Sequence, residues 1–156
     1  MVDFLDFAAA EGSIARHEHR EMTVGLDHLH EAVEHCWSDP AGLADTLRQT
    51  RMWIATVLEP HAIWEERVLY PTIDRYAGTP WATKAMRYEH RQIERASDTL
   101  ERDVETLRSP GGHAATCAIS SRLAGLEALI RAHIEREDKF LMPLLGEGDG
   151  QAAQSS

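Results

Sequence analysis

One pattern occurs twice in this chain and constrains what it can fold into. His61-Ala62-Ile63-Trp64-Glu65-Glu66-Arg67-Val68-Leu69-Tyr70-Pro71 is followed later by His133-Ile134-Glu135-Arg136-Glu137-Asp138-Lys139-Phe140-Leu141-Met142-Pro143. Both read His-x-x-x-Glu-acid, then Leu at the same offset, then the closing Pro. On a helix, residues four apart lie one above the other, so each copy can present an imidazole and a carboxylate on one face. Two such pairs meeting in a bundle core would form a dinuclear metal site.

The rest of the chain supplies helices to carry them. A first helix is predicted from about Ser13, a good N-cap, to about Trp37, with Met22, Leu26, Leu29 and Val33 on its apolar seam and His19 one turn earlier. Residues 1–12 read as a leader that packs loosely. Ser38-Asp39-Pro40 closes this helix and opens a second, whose seam runs Leu43, Leu47, Ile54, Val57, Leu58, His61, Glu65, Val68, Leu69. Pro60 falls inside it and predicts a kink just before His61, where an interior Pro costs roughly 3 kcal/mol. Gly78-Thr79-Pro80 predicts a turn and a third helix from about Pro80 to Arg108, with Met86, His90, Ile93, Leu100, Val104 and Leu107 inward. Ser109-Pro110-Gly111-Gly112 precedes a fourth, from about His113 to Leu145, with Leu126, Ile130, His133, Glu137, Phe140 and Leu144 on one face. Residues 146–156 form a small, polar tail. No segment alternates with a period of two over strand length. The prediction is an all-α, up-down-up-down antiparallel four-helix bundle over residues 13–145.

The two halves resemble each other. Glu18-His19-Arg20 in the first helix matches Glu89-His90-Arg91 in the third, and the spacing from His19 to His61 nearly equals that from His90 to His133. In an antiparallel bundle all four histidines then lie at one end, roughly 10–15 Å deep at 1.5 Å per residue. Spacing alone does not select them. His17–Glu21, His30–Glu34 and His90–Glu94 also stand four apart, as do His61–Glu65 and His133–Glu137. What separates the last two pairs is the face, because they interrupt seams that are apolar for several turns, where unpaired polar groups are costly. His17 and Glu21 read as solvated, His30 as a core or boundary histidine, and His28, His35 and His113 as surface residues. Four core histidines satisfied by two buried carboxylates are the bland alternative to a metal site.

Composition excludes other classes. A formal net charge of −10 argues against nucleic acid or an anionic membrane surface as partner. No apolar run approaches the roughly 18 residues of a membrane span, and the acidic N-terminus is unlike a signal peptide, so the expected location is cytoplasmic. Cys36 and Cys117 are too few for a disulfide framework or thiolate site and read as small buried thiols. The charged surface, with no spare apolar stripe, favours a monomer. Imidazole and carboxylate without thiolate suit iron, manganese or zinc.

At His19, His61, Glu65, His90, His133 and Glu137 the sequence resembles the hemerythrin-like (HHE cation-binding) family, whose pattern is His, then His-x-x-x-Glu, twice over. More narrowly it looks like the short single-domain hemerythrin-like proteins of mycobacteria and their relatives. The resemblance implies a cofactor of two iron ions, oxo- or hydroxo-bridged, held by those six residues with Glu65 and Glu137 between the irons. The chain departs from the oxygen-carrying members. Those have another histidine where this chain has Met86, and an Asp one place after Glu137, which makes Asp138 the fallback for Glu137. Solvent, Glu94, Tyr70 or Tyr88 could fill the vacant position. The implied function is reaction with a small oxidant (peroxide, dioxygen or nitric oxide), including catalase-like peroxide disproportionation. The rival readings are a non-enzymatic module that binds or senses oxygen, nitric oxide or iron, and a purely structural bundle.

Overall fold

The structure is a computed structural model that describes residues 4–38, 42–107 and 113–145. Its described residues contain four long helices and no strand. Helix α1 is Phe4–Ser38. Helix α2 is built from Leu43–Trp53, Glu59–Trp64 and Tyr70–Ala77, joined by π-helical turns at Ile54–Leu58 and Glu65–Leu69. Helix α3 is Lys84–Leu107. Helix α4 is His113–Arg136, continued by a π-turn at Glu137–Leu141 and a 3-10 turn at Met142–Leu145. Each helix packs on its neighbours in sequence, and α4 closes the ring on α1.

Helix α1 starts well before the expected Ser13. Ala8 and Ala15 are fully buried, and a Cβ on Gly12 would lie 3.2 Å from the Leu145 side chain, so this stretch of small residues lets α1 run close against the end of α4. Helix α3 starts later than Pro80. Gly78, at φ 67°, ends α2 in the left-handed conformation, its N–H reaching the Arg75 carbonyl at 3.3 Å. Asp74 then accepts from both the N–H and the hydroxyl of Thr83, at 3.1 and 3.0 Å, and this fixes the turn into α3.

Pro60 gives a widened turn where the sequence predicts a kink. The N–H of Glu59 reaches back five residues to the Ile54 carbonyl, and Pro60 falls in the first turn of the next α-helical segment, where no N–H is required. The same device recurs twice. Tyr70 N–H bonds to Glu65 O ahead of Pro71, and Met142 N–H bonds to Glu137 O ahead of Pro143. All three sites read Leu-x-Pro, and in each π-turn the first and last residues both point inward: Ile54 and Leu58, Glu65 and Leu69, Glu137 and Leu141. This corrects three expected core positions. Val57, Phe140 and Leu144 are exposed, Phe140 at 65%, because the wider turn passes the inward position to Leu58 and Leu141.

The buried side chains form two apolar clusters. The larger contains Met22, Leu26, Leu47, Leu58, Ile93, Leu123, Leu126, Ile130 and Ile134. The smaller caps the other end with Ala8, Ala15, Leu69, Tyr70, Ile73, Met86, Leu141, Met142 and Leu145. A polar layer separates them. The expected inward residues Val104 and Leu107, the side chains of His35, Cys36 and His113, and the 146–156 tail lie outside what is described. Cys117 is half-buried.

Pro60→Ala permits regular helical bonding through residues 55–60 and so re-phases His61. If the widened turn at Pro60 serves to aim His61 at the expected metal site, metal affinity falls at least about tenfold with helix content unchanged by circular dichroism; equal affinity in a more stable variant would show that Pro60 does not aim His61.

Candidate metal centre

The polar layer is made by six residues from four helices. His19 comes from α1, His61 and Glu65 from α2, His90 from α3, and His133 and Glu137 from α4. His19, His61, His133 and both glutamates are buried, Glu65 and Glu137 completely, and His90 nearly so. Their ligand-type atoms fall into two groups, His19–His61–Glu65–Glu137 and Glu65–His90–His133–Glu137, each lying within 4.8 Å of one another. The imidazoles pair accordingly, with ring centroids 5.1 Å apart for His19 and His61 and 4.7 Å for His90 and His133. Both carboxylates belong to both groups. Glu65 turns one oxygen to His61 at 3.0 Å and His19 at 3.5 Å, and the other to His90 at 3.1 Å. Glu137 Oε2 lies between His19 at 3.3 Å and His133 at 3.6 Å.

Each imidazole directs Nε2 inward and Nδ1 to an outer carboxylate. Nδ1 of His61 meets Glu18 at 2.6 Å, that of His90 meets Glu66 at 3.2 Å, that of His133 meets Glu89 at 3.0 Å, and that of His19 meets Asp138 at 2.7 Å. A carboxylate on Nδ1–H fixes the ring and makes Nε2 more basic, the arrangement found behind metal-bound histidines. The acids run in a ring: α1 orients the histidine of α2, α2 that of α3, α3 that of α4, and α4 that of α1. Sequence reasoning missed Glu18, Glu66 and Glu89 in this role. Their signal was position, since each stands beside a residue of the inner set. Asp138, the sequence fallback for Glu137, is assigned by the geometry to the outer ring.

A test of metal fit comes from the inner atoms. Nε2 of His61 and His133, and Oε2 of Glu65 and Glu137, are buried without a hydrogen-bond partner, although oppositely charged groups stand close. The short His61–Glu65 approach lacks hydrogen-bond alignment, so proximity does not satisfy these atoms. Four such orphans in one layer are costly unless a cation takes them. Four core histidines satisfied by carboxylates therefore do not describe the site.

Without metal the layer is electrostatically loaded. Burial disfavours a charged His19, but the carboxylates of Asp138, Glu137 and Glu65 close to its two ring nitrogens outweigh that and push its pKa up to about 11. Burial likewise opposes charge on His61 and His90, and Glu65 prevails, raising both. Burial would lift Glu65, but His19, His61 and His90 hold it well below the usual carboxylate range. Burial and the charge of Glu65 raise Glu137.

Of the candidates for a further position, only Tyr70 reaches the layer. Its hydroxyl donates to Glu137 Oε1, lies 3.1 Å from His90 Nε2, and its ring stacks on His90. Tyr88 and Glu94 are exposed. His30 is 60% exposed beside Glu127, not a core residue, whereas His17 and Glu21 form the expected solvated pair. A groove of about 500 Å³ between α2 and α3 opens onto the layer, with Met22, Ile54, Leu58, Ile93 and Ile134 among its walls and His61, Glu65, His90 and His133 at its inner end.

Residues 13–145 match the hemerythrin HHE cation-binding domain. The chain belongs to the hemerythrin HHE cation-binding family. No curated protein and no solved structure matches it significantly. Family membership and the paired His/Glu clusters agree on a cation-binding bundle. No helix among the described residues is long and apolar enough to cross a membrane.

Metal and protons compete for the same nitrogens, which sets a pH dependence. A histidine whose folded pKa is raised stabilises the fold fully below its unfolded value near 6.5 and loses that contribution as pH rises through the folded value. Metal-free protein should therefore lose thermal stability between pH about 6.5 and about 11, by up to tenfold in folding constant per pH unit for His19 alone. Metal-loaded protein should lack this slope, and parallel melting curves for the two forms would refute the assignment.

Proposed function

We propose that this protein holds two iron ions and uses them to react with a small oxidant: peroxide, dioxygen or nitric oxide. The observation that carries the reading is the pair of two-histidine groups sharing two fully buried carboxylates, with their inner atoms unsatisfied. His19 and His61 would hold one ion and His90 and His133 the other, with Glu65 and Glu137 spanning both. Bound there, the two irons would supply a redox centre able to exchange two electrons with the oxidant.

The chain's own contributions follow from position. The groove between α2 and α3, charged at Glu59, Arg67, Arg91, Glu94 and Asp98 and apolar at Met22, Leu58, Ile93 and Ile134, gives a small molecule a route from solvent to the layer. The cap cluster of Leu69, Ile73, Met86 and Leu141 closes the opposite end. Tyr70 holds its phenolic proton on Glu137 Oε1, which keeps that oxygen occupied and leaves Oε2 facing His19 and His133. Burial and the carboxylates around Tyr70 keep it strongly in the protonated form.

Iron and zinc per chain on protein purified without added metal, together with the visible spectrum, test the reading. About two irons with near-ultraviolet charge-transfer bands are expected, followed by oxygen evolution from peroxide beyond that of free iron. Alanine at both His61 and Glu65 should abolish the iron; unchanged iron content in that variant would sink the metal assignment. Two irons without oxygen evolution would drop the catalase-like step and leave a binding or sensing role.

A further inference from the structure

The two halves of the centre are alike in their inner residues and unlike in what stands behind them. Behind His90 and His133, each outer carboxylate is paired with an arginine. Glu66 is bonded by Arg87, which also lies 3.5 Å from Asp74, and Glu89 meets Arg136 at 2.9 Å. Behind His61 and His19, Glu18 and Asp138 pair with no arginine or lysine among the described residues, and each is 42% exposed. Water screens these two acids but brings no countercharge. Arg136 draws on the same Glu89 oxygen that accepts from His133 Nδ1, and Arg87 on the other oxygen of Glu66, so each arginine takes up carboxylate charge and weakens the pull on the imidazole.

From this difference, resting on the dinuclear reading above, we propose that the two metal positions are inequivalent. The position at His19 and His61 is the tighter one and fills first; Arg87 and Arg136 act as positioning residues that lower the affinity of the position at His90 and His133. The asymmetry arises chiefly in the outer ring, because each position draws on two imidazoles and the same two carboxylates. Tyr70 adds to it, since its hydroxyl stands on the His90 side.

Metal-free protein titrated with cobalt(II) alone, followed by visible absorption and by metal per chain after desalting, gives the test. The wild type should fill in two steps separated by at least tenfold. His133→Ala should keep the tighter step and His61→Ala should lose it. Two conservative changes at partly exposed positions guard against failure of those variants to fold. Glu18→Gln should weaken the first step by about 10–100-fold, the usual effect of removing an outer partner, and Arg136→Gln should tighten the second while leaving the first unchanged. Two equal steps in the wild type, or a tight step surviving His61→Ala, would overturn the inequivalence while leaving the dinuclear reading intact. Absence of cobalt binding altogether would remove both.

Discussion

Two ionisable carboxylates with no exposure to water, Glu65 and Glu137, set the terms for the rest of this fold. An uncompensated buried carboxylate costs several kcal/mol even after relaxation. Here the groups gathered around them are imidazoles from all four helices, so the helices must hold a common register at one layer. The apolar residues above and below are interchangeable in kind, whereas the layer is not. Register, the position of the π-turns and the closing of the bundle's capped end all serve to bring six side chains to one depth.

The π-turns show how local backbone chemistry meets that demand. A Pro in a continuous helix leaves a carbonyl without a donor and crowds the preceding turn. Widening the turn moves the bonding back by one residue and lets the helix continue. Two of the three widened turns begin at Glu65 and Glu137 themselves. The glutamates therefore sit where an α-helical segment, which stacks each below its histidine, hands over to a wider turn that keeps Leu69 and Leu141 inward.

Much of this was legible in the sequence. Polar residues that break an apolar seam stand out, as His61, Glu65, His133 and Glu137 do, and the repeated Glu-His-Arg stretch points to His19 and His90; the structure brings these six side chains to one layer. The outer acids were hidden because a glutamate beside a histidine on a charged helix looks like any solvated residue; only the neighbouring helix shows that Glu18 faces His61 and Glu89 faces His133. Phe140 was misread for a different reason. Following the seam Leu126, Ile130, His133, Glu137 in alternating steps of four and three puts Phe140 next, whereas through the widened turn it is Leu141 that is buried. Ser13 misled as a capping residue because the small residues Ala8, Gly12 and Ala15, which mark close helix contact, carry little hydrophobic signal of their own.

The ring of orienting acids makes the two halves of the chain interdependent. Within each helical hairpin one acid serves one histidine, but the other two links, Glu66 to His90 and Asp138 to His19, pass from one hairpin to the other. A single hairpin would therefore hold one histidine correctly aimed and one adrift, with a glutamate that has nothing to share. Two copies of the same hairpin, facing each other across a twofold axis, would close every link. The internal likeness of Glu18-His19 to Glu89-His90, and of the two Leu-x-Pro repeats, thus has the form of a symmetric pair joined into one polypeptide. Joining frees each half to differ, and the arginines behind only one pair of histidines are a difference that a symmetric pair could not have made.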